Sequence, residues 1–152
     1  MITYDPKYKQ AFIDLNTEWI KKYFVIEPMD IEQLENADTA IMAKGGEIFF
    51  ITEEEKALGT CAMIPMEDNG YELAKMAVAP ETRGRGFGDV LMRTCVEWAK
   101  SKGADYVMLH SNTVLTPAIT LYKKHGFETV YLGPHPDYDR SNIEMKLVLK
   151  PN

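Results

Sequence analysis

Two cysteines in 152 residues are too few for a disulfide framework, and they lack the spacing of a zinc site. Cys61 falls in a strand-like run and Cys95 in a helix-like one, each among apolar neighbours, so both read as small core residues. No apolar run is long enough to span a bilayer. The N-terminal Met1-Ile2-Thr3-Tyr4-Asp5-Pro6 shows no basic segment followed by an apolar one, so no signal peptide is expected and a cytoplasmic location is. Basic charge is scarce: 17 Lys and Arg against 23 Asp and Glu leave a net charge of −6 and a pI of about 5.1. That balance excludes a general nucleic-acid surface, whose footprint is basic, and favours a cationic acceptor such as an amine. Internal repeats, low-complexity tracts and linkers are also absent. Residues 1–152 therefore read as a single domain, with 45% apolar residues to build one substantial core.

Against that background one run stands out, Arg83-Gly84-Arg85-Gly86-Phe87-Gly88. It follows an apolar strand-like stretch, 73–78, and precedes an amphipathic helix-like stretch, 89–102. Glycines let a backbone approach an anion and adopt positive φ. A helix N-terminus adds unpaired N–H groups and the positive end of its dipole. The segment is suited to a phosphorylated ligand, and Arg83 and Arg85 make a cationic spot on an anionic chain. No Lys-Ser or Lys-Thr closes the run, so it is not a nucleotide-hydrolase P-loop, and the GxGxxG dinucleotide fingerprint is absent.

The remaining elements follow from periodicity and punctuation. A short strand over 1–4 precedes a helix over 7–24, with Tyr8, Phe12, Leu15, Trp19 and Tyr23 on one face. Asp30 is placed to cap a second helix from Ile31 to about Met42. Three strands, 47–52, 57–65 and 71–78, form a meander, with Asn69-Gly70 as a type I′ hairpin signal. After the 89–102 helix come a strand at 104–109, a helix opened by Thr116-Pro117 and closed by Gly126, and strands at 127–132 and 142–149. This order implies an α/β (α+β) fold: a mixed, mostly antiparallel sheet of six to seven strands flanked by about four helices.

Two separated segments carry a resemblance. The first, Glu72 to Gly88, holds a strand ending Met76-Ala77-Val78-Ala79-Pro80 and the Arg-x-x-Gly-x-Gly pattern of Arg83, Gly86 and Gly88. The second is Ala118-Ile119-Thr120-Leu121-Tyr122-Lys123-Lys124-His125-Gly126-Phe127. In order and separation they resemble the GCN5-related N-acetyltransferases almost end to end. The resemblance implies acetyl-CoA as cosubstrate. Backbone groups of Met76, Ala77 and Val78 would pair with the pantetheine arm as an added strand. Those of Arg83, Gly84, Arg85, Gly86, Phe87 and Gly88 would hold the pyrophosphate, and Tyr122 would sit by the thioester sulfur. The chain departs from the pattern at Leu115, where many members have Asn. Asn112 lies three residues earlier and either contacts the pantetheine or caps the turn leaving the strand.

The implied reaction requires a neutral amine, a polarised carbonyl and a proton for the departing thiolate. Tyr122 is the candidate acid. Glu72 is the candidate base, because alternation places it on one face with Ala74, Met76 and Val78. Lys75 points to the other face, as an ion-pair partner or a surface residue. Glu27 and Asp30 lie between the first two helices, where they could bind a cationic substrate, although Asp30 also fits an N-cap. His110 and His125 have structural readings, and His135, Tyr138 and Asp139 share the last loop. No metal is needed. The leading expectation is direct acetyl transfer to the primary amine of a small molecule. The alternatives are a non-catalytic acyl-CoA sensor and an enzyme acting on protein N-termini or lysines. Homodimerisation is compatible with the terminal strands.

Overall fold

The computed structural model describes residues 1–135 and 140–149; Tyr138 and Asp139 lie outside them. The strands are β1 (Ile2–Thr3), β2 (Glu47–Glu53), β3 (Lys56–Met66), β4 (Gly70–Val78), β5 (Tyr106–Ser111), β6 (Glu128–Leu132) and β7 (Ile143–Val148). They form one sheet in the order β1-β2-β3-β4-β5-β7-β6. Each pairing is antiparallel except β4 with β5, which is parallel. The helices are α1 (Lys9–Tyr23), α2 (Pro28–Glu35), α3 (Ala37–Ala40), α4 (Phe87–Ser101) and α5 (Thr116–Lys124).

Five helices replace the expected four because the stretch 31–42 does not run unbroken. It stops at Asn36, a residue whose side chain competes with the helical backbone. Its start is also earlier than expected. Glu27 is the N-cap, Pro28 takes the first turn, and Asp30 sits at the third helical position. From there Asp30 Oδ2 accepts the Glu27 N–H at 2.9 Å, one half of a capping box.

Helices cover both faces of the sheet, and strand alternation supplies a core to each. Phe49 and Phe50, adjacent in β2, are both buried and belong to opposite cores. One core joins Phe49, Leu73, Leu91, Met92, Leu109 and Phe127 beneath α4 and α5. The other joins Phe12, Leu34, Ile41, Ile48 and Phe50 beneath α1 to α3. Cys61 and Cys95 are both free and fully buried, as expected of core residues.

Two features of β4 shape everything around it. Pairing with β5 covers only Gly70, Tyr71 and Glu72, opposite Tyr106, Val107 and Met108, and the strands then part. On the β3 side, Ala62 pairs with Ala74 and Thr60 with Ala77, so one β3 residue opposes both Lys75 and Met76. This is a β-bulge, and Lys75 carries it at φ +54°. The bulge overturns the expected alternation: Leu73, Met76 and Val78 all pack toward the α4 core, while Glu72 and Lys75 lie together on the other face, where Lys75 meets Asp30.

The β3–β4 hairpin corrects a second expectation. Positive φ falls on Asp68 (58°) and Asn69 (61°), not on Gly70. Gly70 is required for close approach instead, since a Cβ there would lie 2.1 Å from the Tyr106 ring. Gly70→Ala is expected to destabilise the fold by about 1–3 kcal/mol, as overpacking does. The measurement is the urea midpoint, and a midpoint equal to that of the parent would contradict this packing role.

Candidate active site

Where β4 and β5 part, a solvent-open cleft appears. Its sides are Glu72 to Met76 on β4 and Leu109 to Ser111 on β5 with Asn112 just after it, with Tyr122 of α5 beside them and Trp19, Ile20 and Phe24 from the α1 end. Beyond Glu72 the β4 edge that faces this gap has no β5 partner. Ala79 N–H donates to Leu58 C=O at 2.7 Å, so alternation turns Ala77 toward β3 and Val78 toward the gap. Of the three residues expected to pair with an extended ligand, Ala77 therefore has its backbone committed to β3.

The glycine run forms the turn into α4. Gly84 and Gly86 adopt φ of 82° and 78°, and a Cβ at either would meet nothing within 4 Å, so the turn presents an open face. Gly88 has a different role, because its Cα packs against α5; a Cβ there would lie 3.0 Å from Leu121. Arg83 N–H donates to Pro80 C=O and Arg85 N–H to Thr82 C=O, which closes the turn. The N–H groups of Gly84, Gly86, Phe87 and Gly88 have no backbone or side-chain acceptor among the described residues. The expected six-residue cradle is thus four donors held by two tied residues. Those four donors and the glycines' open face fit a pyrophosphate. Arg85 pairs with Glu53 and stacks on Phe87, and Arg83 reaches the Tyr23 hydroxyl, so both arginines border the turn from solvent.

The α1 side of the cleft is built on buried charge. Asp30 has no exposed surface. It accepts Lys75 Nζ at 2.7 Å and both Arg140 nitrogens at 2.5 and 2.6 Å, and Arg140 also reaches Glu27 at 3.2 Å. Burial opposes ionisation of Asp30, yet the Arg140 and Lys75 hydrogen bonds win and hold its pKa at about 2. For Lys75 burial is the larger influence and draws its pKa below the usual value despite Asp30. Both values fall, but the fall favours the charged form of Asp30, which has two cationic partners, and disfavours that of Lys75, where burial outweighs its acidic neighbour. Asp30 and Glu27, expected to meet a substrate, instead anchor the wall of the cleft.

Glu72 and Tyr122 reach the same cleft from β4 and α5. Burial pushes the Glu72 carboxyl above the ordinary carboxylate range; Lys75 pulls it down and Glu144 pushes it up. Burial and the neighbouring Cys61 push Tyr122 up to about 12, against a hydrogen bond with Ser111. Tyr122 is thus a neutral phenol at ordinary pH, with a proton to give. Asn112 lines the cleft, but its Nδ2 donates to Arg140 C=O at 2.6 Å and its Oδ1 accepts Val114 N–H at 2.9 Å. Its side chain clasps the turn leaving β5, the second of its two expected roles. His110 stacks edge-on with His135 at 4.2 Å and lies 3.8 Å from Glu144. His125 and Lys124 hold Asp89 at the start of α4. Among the described residues no cluster of metal-ligating side chains occurs, and no helix is long and apolar enough to cross a membrane.

Sequence reasoning missed Arg140 altogether, and neither its spacing nor its neighbours carried a signal. It also left Lys75 undecided and gave Trp19 no role beyond a place on one face of the first helix.

A mostly antiparallel sheet parted at its parallel pair, with a glycine turn and helix N-terminus bordering the opening, defines the acetyltransferase class of α/β folds. The chain belongs to the acetyltransferase (GNAT) family, whose model matches residues 11–127. An uncharacterised N-acetyltransferase of Schizosaccharomyces pombe is 32% identical over 97 residues, 61% of this chain and 60% of that protein. Human N-acetyltransferase 8B is 30% identical over 93 residues, 57% of this chain and 41% of that protein. The match spans less than two thirds of both relatives. The crystal structure of a GNAT-family acetyltransferase from Staphylococcus aureus Mu50 superposes with a TM-score of 0.88 at 25% identity, covering 98% of each chain. An aminoglycoside 6'-N-acetyltransferase complexed with coenzyme A shares the fold with a TM-score of 0.75 at 17% identity, covering 100% of this chain and 99% of that one.

Asp30→Asn leaves Lys75 and Arg140 facing a neutral partner in a buried site. A loss of about 3–5 kcal/mol is expected, as for other broken buried pairs. The folded pKa of Asp30 is depressed from 3.8 to about 2. Its contribution to stability is therefore full above pH 3.8 and is lost as pH falls through about 2. Denaturant melts of parent and variant between pH 7 and pH 2 should converge at the acid end, and a constant difference would contradict this linkage.

Proposed function

We propose that this chain is an acetyl-CoA-dependent N-acetyltransferase that moves the acetyl group directly to the primary amine of a small molecule. The observation that carries this reading is the parted β4–β5 edge, with four unpaired N–H donors in the α4 turn and Tyr122 and Glu72 in the cleft. Acetyl-CoA supplies the acyl group as an activated thioester. The α4 turn binds its pyrophosphate, and the free β4 edge around Val78 aligns its pantetheine arm. Glu72 takes the proton from the acceptor ammonium, directly or through water. The freed amine forms the C–N bond to the carbonyl carbon as the C–S bond breaks, and Tyr122 gives its proton to the sulfur. The acylated nitrogen then gives up its second proton, which restores the Tyr122 phenol, and Glu72 passes its own to solvent, so one proton is released per turnover. No covalent enzyme intermediate is required.

Arg140 favours a small acceptor over a protein chain. Its carbonyl is held by Asn112 after β5 and its guanidinium by Asp30 and Glu27 of the α2 start, so it spans the acceptor side of the cleft. An extended peptide needs an open groove there. A non-catalytic acyl-CoA sensor would need neither a raised Glu72 nor a protonated Tyr122 in the cleft.

Thiol release from acetyl-CoA, measured against a panel of amines, tests this reading. Tyr122→Phe should lower kcat about 100-fold, within the range of general-acid catalysis, with the KM for acetyl-CoA little changed. Equal loss of both, or no loss, would remove Tyr122 as the acid. The ascending limb of kcat/KM should lie above the ordinary carboxylate range and disappear in Glu72→Gln, because the base must be ionised and burial has raised its pKa. An unaltered limb in that variant would assign the base elsewhere.

A further inference from the structure

Three aromatic side chains at the end of α1 have no place in either core. Trp19, Tyr23 and Phe24 form a cluster with ring centroids 5.6, 6.2 and 6.5 Å apart. None belongs to the core beneath α4 and α5 or to the core beneath α1 to α3. Trp19 and Phe24 are half-buried and line the cleft, with Ile20 between them and Leu115 from the segment before α5. A fold with two complete cores has no structural need for a further aromatic wall. Large rings left half-covered around a concave site are a binding surface for an apolar body.

The charges in the same cleft are arranged with a clear bias. Both cations, Lys75 and Arg140, are bonded to Asp30. A ligand carboxylate would have to compete with that buried pair for either of them. Glu72 faces the cleft from the opposite sense, as an acid that burial and Glu144 have made harder to ionise. An ammonium brought beside it would favour its charged form, and the faces of Trp19 and Phe24 also attract a cation. Among the described residues the cleft thus offers an acid to an amine and rings to an apolar body, while its Lys75 and Arg140 are both engaged by Asp30.

We infer that the acceptor is a primary amine joined by a short chain to an aromatic or flat apolar body and lacking a carboxylate, with Trp19 and Phe24 as its specificity-determining residues. This rests on the transferase reading above and adds the acceptor class to it.

The test is steady-state thiol release with 2-phenylethylamine, phenylalanine, spermidine and a lysine peptide, beside acetyl-CoA-induced shifts in Tm. The inference expects 2-phenylethylamine to have the highest kcat/KM, with phenylalanine at least tenfold poorer. Trp19→Ala should raise the KM for 2-phenylethylamine about tenfold, with kcat and the KM for acetyl-CoA little changed, and Trp19→Phe should restore most of it. Preference for spermidine or the peptide would overturn the acceptor class and leave the transferase reading intact. So would a Trp19→Ala enzyme of normal Tm with an unchanged KM for the ring amine. No thiol release with any amine would overturn both. If acetyl-CoA then still raised Tm, the chain would be an acyl-CoA sensor; if it did not, the α4 turn would not be a cofactor cradle.

Discussion

The chain's chemistry depends on β4 being out of step with both of its neighbours. Against β3 it carries one residue too many, with Lys75 in the left-handed region. Against β5 it stays paired for three residues and then leaves. A left-handed lysine costs about 1–2 kcal/mol, and a strand edge without a partner leaves backbone groups unsatisfied. Both are tolerated because they produce the cleft. The free edge offers hydrogen bonds to an extended ligand, and the bulge turns Glu72 and Lys75 toward the α1 side while Met76 and Val78 remain on the α4 side.

What holds the opened sheet in shape is electrostatic. Asp30, from α2, binds Lys75 at the bulge and Arg140 before β7, tying together three segments that share no strand pairing. The network lies against the cleft and is largely sealed from solvent. Its internal neutralisation keeps the wall from competing with Glu72 for the acceptor's charge. Tyr122, on the opposite side, keeps its proton because burial disfavours the phenolate. The two ends of the proposed proton transfer are therefore set by burial, and the wall between them by ion pairing.

Features that depend on local backbone chemistry were legible in the sequence. The glycine turn, the α4 start and the Thr116-Pro117 opening of α5 are all decided by φ preferences and helix-end groups within a few residues. The succession of strands and helices along the chain followed from the same punctuation. Features set by distant partners were not legible. Asp30 meets Arg140 across 110 residues and Lys75 across 45, and no spacing announces either. The bulge falls on a lysine, which has no preference for positive φ, so plain alternation misplaced Met76 and Val78 relative to Glu72. Gly70 misled in the other direction: Asn69-Gly70 suggested a turn glycine, but the ring of Tyr106 is what requires it. Asn112 could be read as ligand or clasp until Arg140 appeared beside it.

The central claim is that the parted β4 edge and the α4 turn are a prepared binding surface for acetyl-CoA. Residue-resolved amide hydrogen exchange, with and without coenzyme A, measures it most directly. Protection should rise at Gly84, Gly86, Phe87 and Gly88, whose N–H groups have no acceptor among the described residues, and at Val78, which alternation turns toward the gap. Arg85 and Ala79, already bonded to Thr82 and Leu58, should change little. Unchanged exchange across 78–88, or protection confined to other elements, would contradict the account.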